Sequence, residues 1–145
     1  MVENRKFGWI ECICGSMFSG KSEELLRRIK RGVIAKQNVL LFKPSIDNRY
    51  DENKVSTHNG NSYESVSIDS AEQIYDYVKD KKYDIIGIDE IQFFDNKIVS
   101  VINKKVFINN KEHYINKAIE IFVHSIFDAL NEKDISQIKF YRNEL

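Results

Sequence analysis

Apolar positions along the chain follow two alternating patterns. Short, nearly continuous runs occur at about Phe7 to Cys14, at Val39-Leu40-Leu41-Phe42 and at Tyr83 to Ile88. Such runs mark strands buried on both faces, as in a parallel sheet. Between them, Leu25, Leu26, Ile29 and Val33 recur at helical spacing and predict a helix from about Lys21 to Ala35. Glu23–Arg27 and Glu24–Arg28 are expected as i,i+4 pairs on its outer face, where Arg27, Arg28, Lys30 and Arg31 read as a solvated basic surface. Asp69-Ser70-Ala71-Glu72-Gln73 carries capping-box chemistry and predicts a second helix with Ala71, Ile74 and Val78 on one face. Asp95 is placed to cap a short third helix containing Ile98, Val99 and Ile102.

Two segments depart from this alternation. Val55 to His58 and Asn61 to Val66 flank Asn59-Gly60, a dipeptide suited to the positive-φ turn of a hairpin. Val106 to Ile108 is a candidate short strand, and Glu112 to Leu130 reads as an amphipathic helix carrying Ile115, Ala118, Ile119, Phe122, Ile126, Phe127 and Leu130. Strands alternating with helices predict an α/β domain with a mainly parallel sheet flanked by helices. The expected organisation is a nucleotide-binding part over 1–103 and a carboxy-terminal segment over 104–145 packed on the same domain. With three main strands, the sheet is expected to leave an edge that the helix at 112–130 partly covers.

Composition narrows the picture. The chain has 145 residues, one domain's worth, with 42% hydrophobic and 30% charged residues, enough for a packed core. Lys plus Arg and Asp plus Glu both total 22, so the basic excess of a dedicated nucleic-acid-binding domain is missing and no nucleic-acid partner is expected. No apolar run reaches membrane-spanning length and the first residues do not read as a secretory signal, so a soluble, cytoplasmic location without membrane association is expected. Two cysteines cannot build a four-cysteine zinc site, and no zinc is expected. Cys12 and Cys14 read as small buried hydrophobes on one face of the first strand.

The chemistry lies where the first strand meets the first helix. Gly15-Ser16-Met17-Phe18-Ser19-Gly20-Lys21-Ser22 fits G-x-x-x-x-G-K-[ST] at every defined position. Backbone N–H groups of such a loop wrap a phosphate at the positive end of the helix. Lys21 is then expected to meet the β- and γ-phosphates and Ser22 to ligate Mg²⁺. Asp89 closes an apolar strand, where a second magnesium carboxylate of such domains stands. Its neighbour Glu90 points the other way along a strand and is available to take a proton from an attacking hydroxyl or water. The residues alone leave kinase and nucleotide hydrolase both open. The guanine-specific Asn-Lys-x-Asp motif is absent, and the length leaves no room for a two-motor helicase.

Four stretches occur in a telling order: Gly15 to Ser22 with Glu23-Glu24-Leu25-Leu26-Arg27-Arg28, Lys43-Pro44-Ser45-Ile46-Asp47-Asn48-Arg49-Tyr50, Thr57-His58-Asn59-Gly60, and Ile86-Gly87-Ile88-Asp89-Glu90-Ile91-Gln92-Phe93-Phe94. Together they resemble the amino-terminal half of the thymidine kinase family shared by bacteria and the vertebrate cytosol, over about Gly8 to Asn103. The resemblance implies transfer of the γ-phosphoryl of ATP to the 5′-hydroxyl of thymidine, with Mg²⁺, in DNA-precursor salvage. It implies Glu90 as general base with Lys21 and Arg49 as catalytic partners. ATP is expected on Gly15, Ser16, Met17, Phe18, Ser19, Gly20, Lys21, Ser22, Asp47, Asp89, Glu90, Ile91 and Gln92, and magnesium on Ser22 and Asp89. Relatives assemble as dimers or tetramers, which leaves a homo-oligomer open. After the third helix the family continues with another strand, a four-cysteine zinc module and a lasso loop over the nucleoside, none of which is recognisable in 104–145. A catalytically inactive, truncated ATP-binding remnant is therefore the alternative to an active kinase.

Overall fold

The computed structural model describes residues 8–16, 19–45, 54–56, 62–125 and 138–143. The glycine-containing loop over 16–20 joins strand β1 (Ile10–Gly15) to helix α1 (Lys21–Ile34), which leads to β2 (Val39–Pro44). A small antiparallel pair follows, β3 (Lys54–Ser56) with β4 (Ser62–Glu64), in the register Ser56↔Ser62, one residue off the Ser56↔Tyr63 pairing that a two-residue Asn59-Gly60 turn requires. Its Asn59-Gly60 turn lies outside the described residues, as does His58. The second arm stops at Glu64, and Val66–Ile68 forms a separate strand, β5, beside β2. Then come α2 (Gln73–Val78), β6 (Ile85–Ile88), a 3₁₀ turn (Ile91–Phe93), α3 (Lys97–Ile102), β7 (Lys105–Ile108), β8 (Lys111–Tyr114), β9 (Glu120–Ser125) and β10 (Ile138–Asn143).

The main sheet has the order β10-β1-β9-β6-β2-β5, and every pairing in it is parallel. One row of the register reads Cys12↔Val123↔Ile88↔Phe42↔Val66. Residues of this row face a core shared with Ile74 of α2, Ile98, Val101 and Ile102 of α3, and Ile91 of the 3₁₀ turn. The opposite face, with Ile13, Leu41, Ile85 and Phe122, packs on Leu25, Leu26 and Ile29 of α1. Gly87 permits that packing: a Cβ there would lie 2.7 Å from Leu41 Cδ1 and 2.8 Å from Ile29 Cδ1. Cys12 and Cys14 are buried, outside any disulfide, in the core opposite α1, as their spacing implies.

Local signals hold at the other elements. Gln73 Oε1 accepts from the backbone N–H of Asp69 at 2.6 Å and of Ser70 at 3.2 Å, the returning half of a capping box. Asp95 Oδ1 accepts from the N–H of Lys97 at 3.1 Å at the entrance to α3. On α1, Glu24 takes both Arg27 and Arg28, so the expected Glu23–Arg27 pair is not made.

The segment expected as an amphipathic helix over 112–130 is not one. Its described part is strand β8, a turn and strand β9, while 126–137 lies outside the described residues. The reason lies in where the apolar side chains go. Ile115 and Ile119 pack on the α2–α3 face, Phe122 packs on the α1 face, and Ala118 is exposed. The stripe is thus divided between two cores that a helix could not serve at once. The exposed edge expected beside three main strands is corrected by the same element. β9 sits inside the sheet between β1 and β6, and β10 pairs with the outer side of β1.

Candidate active site

Gly20 stands at φ 84°, ψ 21°, immediately before α1. That left-handed conformation is accessible to glycine at little cost. It turns the chain sharply from the loop into the helix. Gly20 has no side chain to cap the first turn of α1. Its N–H groups and the positive end of the helix dipole therefore face the loop, which is what phosphate recognition needs. Lys21, the first helical residue, is buried at 5% exposure. Its ammonium donates to the carbonyl oxygen of Ser16 and, at 3.4 Å, to Ser19 Oγ. The cation is folded inward over the loop. Ser22, the next residue, is half-buried. Met17 and Phe18 lie outside the described residues, as do Asp47 and Arg49.

Strand β6 carries the acidic pair to the same end of the sheet. The N–H of Asp89 donates to the carbonyl of Phe42 at 2.9 Å, extending the β2–β6 ladder by one step. Asp89 therefore shares a level and a face with Lys43 and Ile13, the face that packs on α1. Two strand spacings, about 10 Å, separate β6 from β1. Asp89 and Lys43 are 5% and 2% exposed, so two charged side chains are buried at the carboxyl edge on the phosphate-loop side. Ligands of open α/β sheets bind at this edge. The sequence reading missed Lys43 as a site candidate; the signal for it was a lysine ending a buried apolar strand in Leu41-Phe42-Lys43-Pro44.

Glu90 leaves the strand conformation altogether, at φ 49°, ψ 52°. A left-handed non-glycine residue costs about 1–2 kcal/mol. It breaks the alternation and starts the 3₁₀ turn, whose Phe93 N–H donates to the Glu90 carbonyl at 3.1 Å. The carboxyl group is buried, with the residue 3% exposed, and accepts from Gln92 Nε2. Ile91 anchors the turn in the core, while Phe93 is 45% exposed. The structure thus brings Lys21, Ser22, Asp89, Glu90, Ile91 and Gln92 to one edge of the sheet. Ser22 and Asp89 are hard oxygen donors, the set that suits Mg²⁺. Among the described residues, no cluster of three or more His, Cys, Asp or Glu side chains could hold a metal ion.

The G-x-x-x-x-G-K-[ST] motif between a parallel strand and a helix, with buried carboxylates following a strand two places away in the same sheet, fits a P-loop NTPase-like α/β fold. The family model described as thymidine kinase matches residues 8–132. The chain belongs to the thymidine kinase family. The match runs well past Asn103, where the sequence resemblance was read as ending, and takes in all of β9. No helix among the described residues is long and apolar enough to cross a membrane.

Proposed function

We propose that the chain is an ATP-dependent thymidine kinase. The reading rests above all on one arrangement: the buried Lys21 of the phosphate loop and the buried Asp89 and Glu90 ending β6 share one edge of the sheet. Membership of the thymidine kinase family supports it.

In this reading Gly15 to Ser22 cradle the triphosphate, with backbone N–H groups and Lys21 balancing its charge. Ser22 and Asp89 hold Mg²⁺, which neutralises charge on the phosphates when bound. Asp47, Ile91 and Gln92 border the ATP site, and Arg49 offsets charge that builds up during transfer. Glu90 accepts the proton of the 5′-hydroxyl as that oxygen bonds to the γ-phosphorus. The bond from the γ-phosphorus to the bridging oxygen breaks, and ADP leaves with its electron pair. A positioned base of this kind contributes about 10²–10⁴ in rate. Burial of Glu90 keeps competing water away from the proton it is to remove. The zero formal net charge supports small-molecule partners, ATP and thymidine, over nucleic acid. A cytoplasmic, DNA-precursor role and assembly with further copies of the chain belong to the same reading.

The test is incubation with γ-labelled ATP, Mg²⁺ and thymidine. Label in thymidine monophosphate supports the proposal. Label released only as inorganic phosphate would make the chain a hydrolase, and bound but unreacted ATP would make it the catalytically inactive remnant.

A further inference from the structure

We infer that Gln92 is the positioning residue of Glu90, a role that rests on the kinase reading above. The sequence reading set Gln92 among the residues bordering ATP, whereas its side chain reaches back two residues to the base itself. Nε2 of Gln92 donates to Oε2 of Glu90. A carboxylate is an acceptor only, so the amide must present its NH₂ group there, and the orientation of the amide is decided by chemistry. The same orientation leaves Oε1 of Gln92 buried with no hydrogen-bond partner among the described residues. The Glu90 contact is thus the tether that holds this side chain.

The backbone sets this contact beside the base. Glu90 sits in a left-handed conformation outside the strand ladder. The rigid neighbour is the 3₁₀ turn, pinned by Ile91 at 2% exposure and closed by the Phe93 N–H to Glu90 carbonyl and Phe94 N–H to Ile91 carbonyl bonds, each 3.1 Å. Gln92 rides on that turn and transmits its rigidity to the carboxylate. A general base contributes only when held in line with the proton it takes, and a misplacement of about 1 Å costs roughly 100-fold.

Two measurements test this. In Gln92→Met, which keeps the shape and removes the donor, kcat falls roughly 10–100-fold, a larger change than any in the KM for ATP. An unchanged kcat, or a loss confined to ATP binding, overturns the inference. The second measurement needs no substrate: the side-chain amide resonances of Gln92 are followed by ¹⁵N NMR in the wild type and in Glu90→Ala. A shifted, exchange-protected amide that reverts to the solvent-exposed position in the variant supports the pairing, and resonances indifferent to the substitution overturn it. Wild-type protein that transfers no phosphoryl group overturns the kinase reading instead, and the amide spectrum separates that failure from this one.

Discussion

Arg28 of α1 donates through Nη1 to Oε2 of Glu11 on β1 across 2.6 Å. The other oxygen of Glu11 accepts from Trp9 Nε1 at 2.9 Å, and Nε of Arg28 donates to Glu24 at 2.8 Å. The pair therefore locks the middle of α1 onto the strand whose far end opens into the phosphate loop. Both side chains are nearly buried, at 11% and 13% exposure, so the contact is only partly screened by water.

Removing one partner takes away the contact between helix and strand, while Glu24 still holds Arg28 and Trp9 still donates to Glu11. Glu11→Ala or Arg28→Met is expected to cost about 1–3 kcal/mol in urea denaturation. The double variant should lose less than the sum of the two, by about 0.5–3 kcal/mol. Strict additivity would show that the pair does not couple helix to strand.

Glu24 and Lys104 both make stability rise with pH, one in the acid range and the other in the alkaline range. Arg27 and Arg28 hold the carboxyl of Glu24 well below the usual carboxylate range, at about 2 against 4.5. Stability from this group is present above pH 4.5 and is lost as pH falls towards 2. Burial pushes the amine of Lys104 down to about 8 from 10.5, against the opposing pull of Glu120. The folded state then binds fewer protons than the unfolded chain between those values, so stability rises with pH across that window. Thermal midpoints followed across pH in Glu24→Gln and Lys104→Met should flatten the acid and alkaline slopes respectively.

Val123 is fully buried in β9, with paired strands on both sides. An unpaired carboxylate there, as in Val123→Asp, should cost more than about 4 kcal/mol and abolish cooperative unfolding. Phe107→Ser on β7, where the ring is 53% exposed, should change stability by less than about 0.5 kcal/mol. A mild effect at Val123 would mean that β9 is not a central strand.

That strand is also where reading from sequence alone went furthest astray. β1, α1, β2 and β6 were legible because each carries one unambiguous pattern, a short continuous apolar run or a helical stripe ending at turn chemistry. Glu120 to Ser125 carries the same buried-strand signature in Ile121-Phe122-Val123, but Ile115, Ala118, Ile119 and Phe122 also match a helical period. Periodicity cannot separate these cases, because a strand buried on both faces has no alternation to display. At the site, the phosphate loop and Asp89 were readable from local sequence. The left-handed turn at Glu90 and the return of Gln92 onto its carboxylate were not, since both depend on how the 3₁₀ turn is anchored by Ile91.

Glu90→Gln separates base catalysis from phosphate binding. The account predicts a fall of about 10²–10⁴ in kcat with little change in ATP affinity measured by calorimetry. Equal losses in both would remove Glu90 from the role of base.

The most direct measurement is the rate of ATP- and Mg²⁺-dependent conversion of thymidine to its monophosphate, with Lys21→Ala assayed beside the wild type. The account predicts product from the wild type and a fall of at least about 10²-fold in the variant, since the phosphate-loop cation is lost. Product formation indifferent to Lys21, or folded wild-type protein that binds ATP and makes none, would contradict it.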